Sequence, residues 1–245
     1  MIKKIFILLS GTLVGVYLVL ALTVFNREPI AQICQGFELV IEDQSSRQFV
    51  TKEEMVSLLK KKKLYPVGKR MEDIRTDLLE AAFNSDPFVE SSECYKSPAG
   101  ILYAKVRQRV PVLRVMNNAG ENFYIDDKAK VMPVHTGRPT HLVIVTGFAD
   151  KTFAADKIYP LGMFLMKDKF WNAQIEQINV TPKKEIELVP RVGEHIVFLG
   201  SIDHFEEKLA RLKLFYEKAL NKIGWNKYKR ISLEFGNQII CTKKN

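Results

Sequence analysis

Phe49-Val50-Thr51-Lys52-Glu53-Glu54 decides how the first half of this chain is read, because it marks a helix start between two apolar segments. The Thr51 hydroxyl can accept the N–H of Glu54 while the Glu54 carboxylate reaches back to the N–H of Thr51, a reciprocal cap. The helix should run to about Lys63 and stop before Pro66 and Gly68, which leaves Lys60, Lys61, Lys62 and Lys63 as a solvated end where cations suit the helix dipole. Upstream, Phe37-Glu38-Leu39-Val40-Ile41 alternates as a strand does. Downstream, Met71 to about Phe83 predicts a second helix with Ile74, Leu78, Leu79 and Ala82 on one face, ended by Asp86-Pro87. Phe88 to Lys96 and Ile101 to Val110 read as two strands joined by a turn at Ser97-Pro98-Ala99-Gly100.

Strand, helix, helix, strand, strand over residues 37–110 makes a small sheet with both helices buried on one face. Order and residues together resemble a POTRA domain, the polypeptide-transport-associated module found close to membranes.

Further along, Val112 to Asn117 and Glu121 to Asp126 read as a hairpin around Asn118-Ala119-Gly120. Leu142-Val143-Ile144-Val145 is an apolar strand, and Thr152 to about Phe170 is mixed, helical on either side of Pro160. Ile175 to Val180, Glu185 to Pro190 and Glu194 to Leu199 read as a meander. Asp203 should open a long helix, with Glu206 completing a second capping box. Phe205, Leu209, Leu212, Phe215, Ala219 and Ile223 then recur at helical spacing, as a face packed on a sheet does. Arg230 to Thr242 reads as one closing strand in which Ile231, Leu233 and Phe235 alternate before Gly236-Asn237 and Gln238-Ile239-Ile240 resume. No Gly-, Pro- or Ser-rich linker divides the two halves, so they should pack closely or share strands.

At the N-terminus, the uncharged run from Ile5 to Phe25 follows Lys3 and Lys4. Its 21 residues would extend about 30 Å as a helix, the depth of a bilayer's hydrocarbon core. Ala21-Leu22-Thr23 is a poor small-x-small cleavage site, so the run reads as an uncleaved anchor rather than a secretory signal. Lys3, Lys4 and the terminal amine outnumber Arg27, which by the positive-inside rule keeps the N-terminus cytoplasmic. Gly11 and Gly15 have helix-pairing spacing, a pattern common by chance.

The chain is 47% hydrophobic and 27% charged, a composition able to bury a core. Its net charge is +9, and still +7 without Lys3 and Lys4, when 35 basic residues face 28 acidic ones. Such a surface favours anionic lipid headgroups or an acidic partner. It lacks the basic stripe interleaved with aromatics that nucleic acid would require. Cys34, Cys94 and Cys241 are odd in number and without CxxC spacing, so neither a disulfide framework nor a zinc site is indicated and at least one thiol is free.

Catalytic patterns are missing. His135 and His141 have no acidic or thiol neighbours spaced as metal ligands, and HExxH, GxSxG and a phosphate-cradling loop are absent. Cys241 lies too near the chain's end for a sortase-like arrangement, and His204 reads as part of a helix's first turn. Glu53-Glu54 and Asp126-Asp127 are sequence neighbours that do not face a common point, as a general acid and base must. No cofactor and no metal is therefore expected.

Across nearly its whole length the chain resembles the FtsQ/DivIB family of bacterial cell-division proteins, particularly the versions of Bacteroidetes-type bacteria. The resemblance is carried by Cys34-x-Gly36, Phe49-Val50-Thr51, Asp86-Pro87-Phe88-Val89, Gln108 to Val115, Phe123-Tyr124-Ile125-Asp126, Val131-Met132-Pro133 and Asn237 to Lys243. It departs at Lys128-Ala129-Lys130, where the family often has Gly, so another turn type is expected there. The resemblance implies an α+β protein with a cytoplasmic end (1–4), a transmembrane helix (5–25), a POTRA domain (37–110, β-α-α-β-β) and a mixed β-domain (111–245) with a long C-terminal helix and terminal strand. It implies a single-pass inner-membrane protein, periplasmic in bulk, acting without catalysis at the division septum. Its partners would be FtsB-like and FtsL-like single-pass coiled-coil proteins and, indirectly, the septal peptidoglycan synthase. The implied contact is edge addition on the terminal strand, with Ser232, Leu233, Glu234, Phe235, Gln238, Ile239 and Ile240 as its surface. The competing class is a transport scaffold, since POTRA modules also serve barrel assembly. That class usually repeats the module and continues into a barrel, and neither feature is found here.

Overall fold

The computed structural model describes residues 2–25, 32–42, 49–135 and 142–244, with side chains of the first helix described for residues 11–22. That helix, α1, runs Ile2–Phe25. Among the described residues no helix is long and apolar enough to cross a membrane. Arg27 and His141 lie outside the described residues.

The first folded unit has β1 (Gly36–Glu42), α2 (Lys52–Lys61), α3 (Thr76–Asn84), β2 (Val89–Lys96) and β3 (Ile101–Gln108). Its strands lie in the order β1-β3-β2, with β1 parallel and β2 antiparallel to the central β3. The capping box forms as its sequence requires: Glu54 N–H donates to Thr51 Oγ1 at 3.2 Å and Thr51 N–H to Glu54 Oε2 at 2.8 Å. Leu102, Ala104 and Val106 project from β3 onto the face covered by Met55 and Leu59 of α2 and Leu79, Ala82 and Phe83 of α3. Tyr103, Lys105 and Arg107 point the other way, the period-two alternation of a one-sided sheet. Two details differ from the sequence reading. Helix α3 begins at Thr76 rather than Met71, with Met71 and Ile74 buried ahead of it, and Leu78 is 45% exposed.

The second unit is a nine-stranded mixed sheet in the order β12-β11-β10-β9-β8-β7-β4-β5-β6. Its strands are β4 (Pro111–Asn117), β5 (Asn122–Asp126), β6 (Val131–Pro133), β7 (Val143–Gly147), β8 (Ile175–Val180), β9 (Ile186–Pro190), β10 (Ile196–Gly200), β11 (Tyr228–Ser232) and β12 (Ile240–Lys243). Parallel pairs β7–β8 and β10–β11 need long crossovers, and both crossovers are helical. The first holds α4 (Lys151–Phe153), a π-helical turn (Ala154–Ile158), α5 (Tyr159–Lys167) and α6 (Lys169–Gln174). Pro160 lacks an N–H and would clash in a regular turn, and the chain widens to π geometry just before it, with Tyr159 N–H bonding Ala154 O. Helix α5 lies tightly on the sheet: a Cβ on Gly162 would come within 2.6 Å of the Leu113 side chain.

The second crossover holds α7 (Phe205–Phe215), a π-helical turn (Tyr216–Leu220) and α8 (Asn221–Ile223). No capping box forms at its start. His204 is the N-cap, in a left-handed conformation (φ 55°) without a side-chain cap bond, while Asp203 accepts from Ser201 Oγ at 2.6 Å. The π turn inserts one residue into the helical register. Leu209 and Leu212 are followed in the core by Tyr216 and Leu220; Phe215 packs partly on the same core as expected and Ala219 is half-buried, whereas Ile223 is 42% exposed.

The closing segment is also different from its reading as one strand from Arg230 to Thr242. It is a hairpin-like pair, β11 and β12, separated by a loop over residues 233–239. At Lys128-Ala129-Lys130 the turn keeps a left-handed residue, and Ala129 occupies it at φ 59°. Asp126 Oδ1 holds the turn by accepting the N–H groups of Lys128 (2.9 Å) and Lys130 (2.7 Å).

The two units do not share strands but are packed directly. Phe49 stacks on Phe88 (5.7 Å, 5° between planes) and meets Tyr124 edge-on, and Met132 completes this small core. The fully buried Gln108 carbonyl accepts the N–H groups of Phe49 (2.9 Å) and Val50 (3.4 Å). Arg109 pairs with the buried Asp126 at 2.6 Å, and Lys128 pairs with Glu90.

Candidate partner-binding edge

Among the described residues, strand β12 has a hydrogen-bonded neighbour on one side only. Its pairing with β11 runs Ser232↔Ile240, Ile231↔Cys241, Arg230↔Thr242 and Tyr228↔Lys243. An edge strand presents unpaired N–H and C=O groups that a foreign strand can use. Cys241 turns toward the core, where burial raises its thiol pKa, and a suppressed thiolate is a poor nucleophile. Ile240, 44% exposed, turns outward.

The loop before β12 is anchored by α7. Arg211 donates to the backbone carbonyls of Phe235 (2.7 Å), Gly236 and Leu233 (3.3 Å). One guanidinium thus gathers three loop carbonyls. Beneath it, Lys208 is nearly buried, with Nζ donating to Leu199 O (3.1 Å) and Ser201 O (2.6 Å), and burial lowers its pKa. Arg211, Leu214, Phe215, Lys218 and Ala219 form one wall of a cleft of about 370 Å³, and residues 236–239 form the other. Leu214 is 49% exposed and Phe235 is 48% exposed, so the cleft adds apolar surface beside the edge.

The sequence-predicted contact residues are gathered here, but not all on the surface. Glu234, Phe235 and Gln238 are exposed in the loop, Ile240 is exposed on β12, and Ser232 is half-buried opposite it. Leu233 is fully buried and Ile239 packs partly on the core, so these two support the loop from within. Ser232 sits on β11, which is flanked by β10 and β12 and has no free side. The helix wall was not anticipated. Leu214 gave the available signal, an apolar residue off the stripe of α7.

Groups considered for catalysis are dispersed or occupied. Glu54 caps α2, Asp126 pairs with Arg109, and His204 is exposed at its helix start. His135 packs its ring 5.1 Å from that of Phe88. Burial, reinforced by the charges of Asp126 and Glu90, raises the pKa of Asp127. Cys94 is pushed up to about 12, chiefly by burial and then by Glu80. The three cysteines are free, and among the described residues no cluster of His, Cys, Asp or Glu could hold a metal ion.

A family model described as FtsQ/DivIB, C-terminal related, matches residues 110–242, more than half of the chain and all nine strands of the sheet but the last residue of β12. The chain belongs to the FtsQ/DivIB family. A POTRA-like domain model matches residues 32–107, the three-stranded unit. No individual curated protein matches the chain. Membership in the FtsQ/DivIB family gives the chain a role in cell division as a division-site membrane protein. Neither FtsQ/DivIB proteins nor POTRA-like domains are known enzymes.

Proposed function

We propose that this FtsQ/DivIB-family chain is a non-enzymatic connector of the division machinery, and that β12 receives a strand from an FtsB-like or FtsL-like single-pass coiled-coil partner. Through that complex it helps to recruit and regulate the septal peptidoglycan synthase. Residues 5–25 anchor it in the inner membrane, with the N-terminus cytoplasmic and the bulk periplasmic. The observation carrying this reading is the combination of a one-sided edge strand with an adjacent apolar cleft. Backbone pairing supplies affinity in strand addition, while pockets beside the edge select the side chains that accompany the strand. Support for the anchor comes from the helical backbone of α1, which contains the uncharged run. Confinement of both proteins to one membrane layer lowers the entropic cost of meeting, so a short strand contact suffices.

A photo-crosslinking residue at Phe235, in the full-length protein in its own cells, tests this. Capture of small single-pass coiled-coil proteins is the expected result. Capture of barrel-assembly or secretion components would replace the connector with a transport scaffold, and the absence of any adduct would move the interface off this edge.

A further inference from the structure

Residues 60–71, Lys60-Lys61-Lys62-Lys63-Leu64-Tyr65-Pro66-Val67-Gly68-Lys69-Arg70-Met71, hold six cations and no acid. All six cationic residues are exposed. They begin in the last turn of α2, at Lys60 and Lys61, and run on along the place where the strap of residues 32–34 joins the folded unit. There the strap formed by Gln32, Ile33 and Cys34 is bound along its length. Cys34 N–H donates to Lys69 O (2.8 Å), Gly68 N–H to Cys34 O (2.9 Å) and Met71 N–H to Gln32 O (2.7 Å), with a bridge between Ile33 and Arg70. On the other side of the strap, Gln35 N–H donates to Gly100 O (2.8 Å) and Gln32 Nε2 to Pro98 O (2.7 Å). The cationic segment is therefore fixed to the point of entry.

Chain length limits how far this point can lie from the end of α1. Seven residue steps separate Phe25 from Gln32, and at 3.3–3.6 Å each they reach at most about 25 Å. The same face exposes apolar groups among its cations. Val67 is 38% exposed and Ile33 is 54% exposed, while Tyr65 packs edge-on against Phe37 with the Lys60 ammonium over its ring. Cations interspersed with a few exposed apolar side chains suit a membrane interface, where ammonium groups meet phosphates and apolar groups enter the headgroup layer. Local acids offset only part of the charge: Glu72 pairs with Arg70, and Asp73 follows it.

We infer that this face docks on anionic phospholipid headgroups of the leaflet from which α1 emerges; the inference rests on the anchored reading above. Attraction of this kind fades within a Debye length, about 8 Å at physiological salt, so it acts only because the tether is short. Docking would set the orientation in which β12 is presented, because the buried joint ties the first unit to the large sheet.

The test is hydrogen exchange on the full-length protein in nanodiscs of phosphatidylcholine alone or with phosphatidylglycerol mixed in. Amides of residues 60–71 should exchange about tenfold more slowly in the anionic discs only. The double variant Lys61→Glu, Lys63→Glu should erase that difference while leaving the exchange of β3 unchanged, a small drop in melting temperature from reversing charge at the end of α2 being expected in both lipids. Equal exchange in the two lipids, whether slow or fast, would overturn headgroup docking while leaving the anchor intact. Failure of the chain to co-elute with either disc would sink the anchored reading, and this inference with it.

Discussion

The two ends of the nine-stranded sheet are built in opposite ways. At one end, β5 and β6 are locked against the POTRA-like unit by Phe49, Phe88, Tyr124 and Met132 and by the Arg109–Asp126 pair, with Phe49 held in place by the Gln108 carboxamide of its own unit. At the other, β12 is short, bonded on one side and bordered by an open cleft. With nine strands about 4.8 Å apart, the two ends are separated by roughly 38 Å. The two ends are treated differently: one packs side chains against the first unit, and the other is the edge to which the proposed strand addition is assigned.

The locked end should be costly to disturb. Asp126→Ala would strand the Arg109 guanidinium and release the Lys128–Lys130 turn, and breaking a buried pair in this way costs about 3–5 kcal/mol. Denaturant unfolding measures it, and a loss below about 1 kcal/mol would show that the joint is not structurally important. Gln108→Ala leaves the buried N–H groups of Phe49 and Val50 without their side-chain acceptor, at about 1–3 kcal/mol. Earlier proteolysis between the units should accompany that loss.

The same end also stores a defect that can be repaired. Ala129 holds a left-handed conformation that costs a non-glycine residue about 1–2 kcal/mol, so Ala129→Gly should raise stability by about 1 kcal/mol after glycine's extra unfolded-state entropy is subtracted. A lower melting temperature would show that the strain is relieved in some other way.

Acid should act nearer the open end. His195 is 1% exposed beside Tyr216 (Nε2 to Oη 2.9 Å), and burial lowers its pKa below the usual 6.5. The Trp225 backbone partly opposes the shift, although Nδ1 makes no hydrogen bond of good geometry. The unfolded chain therefore takes up the proton first. Stability from the neutral ring is fully present above pH 6.5 and is lost as pH falls from there toward the depressed folded value. Comparing stability against pH for the wild type and His195→Gln should show a shallower slope in the variant over that range. Smallest of all should be Ile240→Ser on the open edge, within about 0.5 kcal/mol in the free protein because the side chain is already half-exposed.

The locked end was partly legible in the sequence. Phe49-Val50-Thr51 and Asp86-Pro87-Phe88 stood out as punctuation, and the missing linker indicated close packing, because caps, turns and linkers are local signals. The role of Gln108 was not legible, since its bonds reach residues 58 and 59 positions away. At the open end, local periodicity misled. Ile231, Leu233 and Phe235 alternate as in a strand, yet Leu233 ends the buried run and Arg211 pulls the next residues into a loop. The helical stripe of the second crossover was legible down to Phe215, but its end was not, because Ile223 lies beyond the π turn at Tyr216–Leu220 and stays exposed. The wall formed by Arg211, Leu214 and Lys218 depends on how the crossover helix lies over the loop, a tertiary fact.

Backbone hydrogen exchange reads strand addition at β12 most directly. The full-length protein would be compared with and without its FtsB-like partner, residue by residue. The account predicts new protection of the amides in residues 240–243, with those of β5 and β6 unchanged. Protection confined to the cleft wall of α7, or to the POTRA-like unit, would contradict it.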